Sequence, residues 1–131
     1  MRVLFVDEHV QAVASVREFF EWMGHDCHLA TTGLDALELC ARFDLDLALV
    51  DISLPDMCGF ELGRAVRQHA RHQPYLVAMA GWSHSEHRYR ALDAGFDAHV
   101  IKPLDMATLT RLVGTSPRAL RSVAPALTIV R

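Results

Sequence analysis

The chain has 131 residues, with 13 basic and 16 acidic side chains and a formal net charge of −3. Its length fits one domain, and 51% hydrophobic with 22% charged residues is the balance of a soluble globular protein with a real core. No Lys/Arg run could track a phosphate backbone and no apolar run nears the ~20 residues of a membrane span, so neither nucleic acid nor membrane is an expected partner.

Arg2–Asp7 (RVLFVD) is a short apolar run ending in acid, followed at once by Glu8. It stops too early for a signal-peptide core and predicts a buried strand. From His9 to Met23 the residues Val10, Val13, Val16, Phe19, Phe20 and Met23 recur at helical spacing, and Gly24 closes that helix. Asp26–Ala30 predicts a second strand. Thr31-Thr32-Gly33 then turns into a helix with Leu34, Leu37, Leu39 and Phe43 on its apolar positions.

Asp46–Asp51 (DLALVD) is the third predicted strand and again ends in acid. A loop with Pro55 and Gly59 leads to a helix carrying Phe60, Leu62, Ala65 and Val66. Pro74 opens the fourth strand, YLVAMA, and a helix across Glu86–Ala94 stops at Gly95. Ala98–Ile101 is the fifth strand, Lys102-Pro103 breaks it, and Asp105 caps a last helix to about Val113. Residues 114–131 break the pattern and read as a tail or linker remnant, so the domain is expected at 1–113. The ALTIV run within that tail could add a strand to an edge.

Five strand–helix repeats with crossovers of this length predict parallel pairing, and continuous apolar strands predict a sheet covered on both faces. The expected architecture is an α/β, doubly wound, five-stranded parallel sheet. The three cysteines (Cys27, Cys40, Cys58) are odd in number and lack CxxC spacing, which favours reduced thiols and a cytoplasmic location.

In open α/β sheets the reactive site lies beyond the carboxyl ends of the strands. There this sequence places Asp7 and Glu8, Asp51, Ala80 and Lys102. Clustered carboxylates raise one another's pKa unless a cation intervenes, and a hard ion such as Mg²⁺ resolves the conflict with oxygen ligands. Each acid taken alone would more commonly be a helix cap or a strand-end turn residue, but acids ending two strands with a Lys-Pro ending the fifth favour the functional reading.

These residues resemble the receiver domains of two-component response regulators over about residues 1–113. The matching pieces are Asp7-Glu8 after VLFV, ALVDISLPDMCGFEL around Asp51, and AGFDAHVIKP ending in Lys102-Pro103. The last of these looks most like receivers joined to hybrid sensor kinases. The resemblance implies a (βα)5 sheet of strand order 2-1-3-4-5. It also implies that Asp51 accepts a phosphoryl group from a phosphohistidine, and that Lys102 offsets charge on the phosphoryl oxygens. Mg²⁺ would be held by Asp7, Glu8, Asp51 and the backbone carbonyl of Ser53. The Lys102–Pro103 bond would be cis.

Two positions depart from the family pattern. The strand-four Thr or Ser is Ala80, which offers no donor to a phosphoryl group. The aromatic switch position on strand five is His99, either a rotating switch or a half-exposed polar residue. Trp82 is expected either to overhang the acid cluster or to pack between the loop and the fourth helix. The pairs His69/His72, His84/His87 and His25/His28 lack a third ligand and read as solvated faces.

The resemblance implies a sensor histidine kinase or phosphotransfer protein as donor and a downstream protein effector. A homodimer could form through helix four, strand five and helix five. Such a receiver catalyses only its own phosphorylation and dephosphorylation. The alternative is a pseudo-receiver, a phosphorylation-independent interaction module, which Ala80 favours. A haloacid-dehalogenase-like phosphatase ranks below both, because Asp51 is followed by Ile52-Ser53 rather than a DxD pattern.

Overall fold

Each of the five apolar runs becomes a strand, and each is followed by a helix. In chain order the elements are β1 (Arg2–Val6), α1 (Val10–Trp22), β2 (Asp26–Ala30), α2 (Gly33–Arg42) and β3 (Leu47–Asp51). They continue with α3 (Gly59–His69), β4 (Tyr75–Ala80), α4 (Ser85–Asp93), β5 (Ala98–Ile101) and α5 (Met106–Val113). The computed structural model describes residues 1–81 and 85–113. Trp82, His84 and the tail at 114–131 lie outside the described residues, as do the expectations attached to them.

All strand pairs are parallel, in the order β2-β1-β3-β4-β5. The two inner strands β3 and β4 are buried at every position, which is why they read as unbroken apolar runs rather than alternating ones. Phe20 of α1 and Leu109, Leu112 and Val113 of α5 cover one face. Ala36 and Cys40 of α2, Phe60, Leu62 and Val66 of α3, and Ala91 of α4 cover the other. From β1 the chain moves outward to β2, then crosses back to β3 on the opposite side. That reversal opens a crevice at the carboxyl ends of β1 and β3, the usual ligand position in such sheets.

The helix ends follow local chemistry. Gly24 and Gly95 take left-handed φ values of 91° and 96° and terminate α1 and α4. The Thr32 hydroxyl accepts from the Asp35 N–H at 3.1 Å at the start of α2, and Asp105 accepts from the Thr108 N–H at 2.7 Å at the start of α5. Burial pushes the Cys27 thiol up to about 12 and that of Cys40 up to about 11, so both act as small core hydrophobes.

Helix α2 differs from the expected face. Leu34 is 66% exposed, and the buried stripe is Gly33, Ala36 and Cys40, with Leu37 and Leu39 beside it. The cause is close packing of the first turn: a Cβ at position 33 would collide with the Met57 side chain, so glycine faces inward and Leu34 turns to solvent. The first and third strands are each one residue shorter than the apolar pattern predicted. Asp7 lies just beyond β1, and Asp46 just before β3.

Candidate functional site

Three strands deliver the site. Asp7 follows β1, and its N–H donates to the Ala30 carbonyl at 3.1 Å, which keeps it in line with β2. Asp51 is the last residue of β3. Lys102 follows β5, and its N–H donates to the Ala80 carbonyl at 2.7 Å, so the sheet ladder continues to the edge of the site. The Lys102–Pro103 peptide is cis.

Backbone closeness fixes the floor of the site. The Gly59 N–H donates to the Ile52 carbonyl at 2.9 Å, and a Cβ at Gly59 would meet the Asp51 carbonyl oxygen and the Ile52 Cα. Only glycine lets the start of α3 approach the end of β3 this closely. Between them, the Ser53 N–H donates to Asp51 Oδ1 at 3.0 Å, and Ser53 bridges to Cys58.

Asp7 and Asp51 are 1% and 4% exposed, which would be costly for bare carboxylates. The Lys102 ammonium compensates, lying 2.8 Å from Asp7 Oδ2 and 3.0 Å from Asp51 Oδ2. The other Asp7 oxygen, Oδ1, accepts from the His9 N–H at 2.9 Å and lies 2.9 Å from His9 Nδ1. Burial pushes the Asp7 carboxyl up, but the Lys102 and His9 hydrogen bonds outweigh it and hold Asp7 below its ordinary pKa. Burial pushes Lys102 down, yet the two carboxylates outweigh it and hold the ammonium above its ordinary value.

The structure thus brings together Asp7, Asp51 and Lys102, and adds His9, which sequence reasoning passed over. Among the described residues, one group of acid, thiol and imidazole donors could hold a metal: Asp7, His9 and Asp51, with donor atoms within 4.8 Å of one another. Glu8 is exposed and lies outside that group. Two buried carboxylates on adjacent strands fit Mg²⁺, which takes oxygen ligands and usually retains water.

Ala80 ends β4, is 1% exposed and pairs with Ile101. His99 is 3% exposed and opposite Ala78 in the ladder, so it is not the half-exposed polar residue that the sequence allowed. Helices on both faces bury even this edge strand, and strand alternation turns His99 to the face opposite Ala98 and Val100.

The family model of the response regulator receiver domain matches residues 3–114. The chain belongs to that family. It is 36% identical over 109 residues to response regulator MprA of Mycobacterium leprae, an alignment covering 83% of this chain and 47% of that protein. It is 26% identical over 121 residues to sensor histidine kinase RcsC of Salmonella typhimurium, covering 92% of this chain and 13% of that protein. The receiver chain thus spans about half the length, or less, of these curated relatives. A crystal structure of a CheY-like receiver domain protein from Methanospirillum hungatei superposes with a TM-score of 0.81 at 26% identity, covering 95% of this chain and 96% of that one. Two-component signalling is the setting of this family, and Mg²⁺ at the acidic site is consistent with it. No helix among the described residues is long and apolar enough to cross a membrane.

Proposed function

We propose that this receiver takes a phosphoryl group onto Asp51 from a partner's phosphohistidine and passes the signal on through protein contacts. One observation carries the reading: a single ammonium, Lys102 Nζ, spans the buried carboxylates of Asp7 and Asp51 at 2.8 and 3.0 Å. An Asp51 oxygen forms the new P–O bond as the P–N bond to the donor imidazole breaks. The electron pair leaves on that nitrogen, which then takes a proton. Lys102 is placed to follow the charge that develops on the phosphoryl oxygens, and as a compact point charge it suits that task.

Asp7 and Asp51 would hold Mg²⁺ together with the Ser53 carbonyl, and the exposed Glu8, outside the three-donor group, would act through a bridging water. When bound, the ion would supply further neutralisation of the phosphoryl oxygens. Hydrogen bonds from Lys102 and His9 fix both oxygens of Asp7, so its orientation is set before any ligand arrives.

The donor is a sensor histidine kinase or phosphotransfer protein, and the effector another protein. Contact, including self-association, would use the α4–β5–α5 face, where Tyr89, Leu92 and Met106 are exposed at 73%, 60% and 63%. Ala80 supports a second reading, a pseudo-receiver that binds partners regardless of phosphate, because its methyl group gives an incoming phosphoryl oxygen no donor.

Incubation with acetyl phosphate and Mg²⁺, followed by intact-mass measurement, tests the chemistry. One phosphoryl adduct in the wild type and none in Asp51→Asn is the expected result. An adduct that persists in Asp51→Asn contradicts it. Equal partner affinity with and without the adduct favours the second reading.

A further inference from the structure

We infer that His9 makes this a three-donor metal site that selects a first-row transition ion such as Mn²⁺ over Mg²⁺. The inference rests on the reading that Asp7 and Asp51 together hold a divalent ion. It deepens that reading by assigning the choice of ion to a residue outside the acidic set.

The geometry comes first. One nitrogen of His9 and one oxygen each from Asp7 and Asp51 lie within 4.8 Å of one another. Metal–ligand bonds of about 2.1 Å place neighbouring donors on one octahedral ion about 3 Å apart, and opposite ones about 4 Å apart. Shifts of an ångström or so would close such a set. The imidazole and the ammonium also approach Asp7 from different sides: Lys102 takes Oδ2 at 2.8 Å, whereas His9 Nδ1 stands 2.9 Å from Oδ1. Lys102 can therefore keep its carboxylate contacts while a metal shares the Oδ1 side with the imidazole.

The polar contact of the His9 ring runs from Nδ1 to Asp7 Oδ1, and an ion seated between the two would take its place. His9 occupies the N-cap position of α1, yet its side chain makes no capping hydrogen bond. Its ring is 66% exposed, so packing does not hold it away from an ion.

The chemistry then separates the ions. Mg²⁺ favours carboxylate, carbonyl and water oxygens and gains little from an imidazole nitrogen. Affinity of a mixed nitrogen–oxygen site rises along the divalent first-row series from Mn²⁺ upward, so an added imidazole strengthens those ions selectively.

Mn²⁺ is the probe. Its binding to the full chain would be followed by electron paramagnetic resonance with Mg²⁺ as competitor, and nitrogen coordination by electron spin-echo modulation, in wild type, His9→Ala, His9→Gln and Asp51→Asn. The wild type should show nitrogen modulation on bound Mn²⁺. Both His9 variants should lose it, with Mn²⁺ binding weakened by about tenfold or more and Mg²⁺ binding changed by no more than about twofold. Unchanged Mn²⁺ binding in both His9 variants, with no nitrogen modulation in the wild type, would overturn the role of His9 and leave the acid site intact. Absence of bound ion in the wild type, or equal affinity in Asp51→Asn, would overturn the ion site and this inference with it.

Discussion

The Lys102 ammonium lies 2.8 Å from Asp7 Oδ2, joining residues 95 positions apart in the chain across the strand-end edge of the sheet. A second carboxylate oxygen contact, Asp51 Oδ2 at 3.0 Å, makes this lysine the common counter-charge of two buried acids. Removing it leaves both acids buried together. Lys102→Met should destabilise the fold by about 2 kcal/mol, below the full cost of orphaning a buried charge because Lys102 is 27% exposed. Urea unfolding with and without Mg²⁺ checks this, and Mg²⁺ should recover part of the loss. Unchanged stability in both conditions would show that the ammonium is not the counter-charge.

Ala80 sits 1% exposed at the end of β4, next to the Lys102 backbone. A hydroxyl there would supply a hydrogen bond to a charged phosphoryl group, roughly 1.5–3 kcal/mol, or about ten- to a hundredfold in switch bias. Ala80→Ser should therefore widen the difference in partner affinity between phosphorylated and unphosphorylated forms by about that factor. Affinity measured by calorimetry on both forms is the check. An unchanged difference would mean that readout bypasses this position.

The opposite end of the sheet is held by Arg67. Its guanidinium donates to the Gly95 carbonyl at 2.8 Å, to Gln73 Oε1 and the Pro74 carbonyl at 2.9 Å each, and to Asp97 Oδ2 at 2.7 Å. Asp97 in turn accepts from the Leu76 N–H at 2.8 Å, so one side chain ties α3 to the starts of β4 and β5. Arg67→Met should cost about 3–5 kcal/mol, since it orphans a largely buried carboxylate and several carbonyls. Arg67→Lys should recover little, because an ammonium cannot reproduce the planar fork. Chemical denaturation of both variants measures this.

Asp56 links the loop after Asp51 to α2, accepting from the Gly33 N–H at 2.8 Å and the Leu34 N–H at 3.0 Å. The Gly33 bond leads in holding its carboxyl below the ordinary value; desolvation opposes it, and the Leu34 bond with the Asp56 and Met57 backbone N–H groups tips the balance downward. A depressed folded-state pKa contributes stability that is complete above the unfolded value, about 4, and lost as pH falls through the folded value. Asp56→Asn should lower Tm by a few degrees at pH 7 and make the acid limb shallower below about pH 4. Thermal melts from pH 3 to 7 test it, and parallel curves for the two proteins would contradict the assignment.

Most of the architecture was readable because burial on both faces writes β3 and β4 as continuous apolar runs, and because Gly24, Gly95, Thr32 and Asp105 mark helix ends by local chemistry. Asp7, Asp51 and Lys102 were readable for a similar reason, since each sits at a strand end. His9 was not, because a residue two places after an acid and just before a helix looks like an ordinary cap. Leu34 was misjudged, and the half-exposed reading of His99 fell, where tertiary packing overrode pattern. Met57 turns glycine rather than leucine inward at α2, and helices cover an edge strand that could have stayed half open. The Asp56 cap joins residues more than twenty apart, beyond the reach of any local spacing.

The central claim is that Asp51 receives the phosphoryl group. Borohydride reduction after treatment with acetyl phosphate and Mg²⁺ converts an aspartyl phosphate to homoserine, which peptide mass spectrometry can locate in the chain. Homoserine at position 51 alone, absent without phosphodonor, is the predicted result. Homoserine at position 7, or none anywhere in a protein that retains its fold and binds the metal, would contradict it.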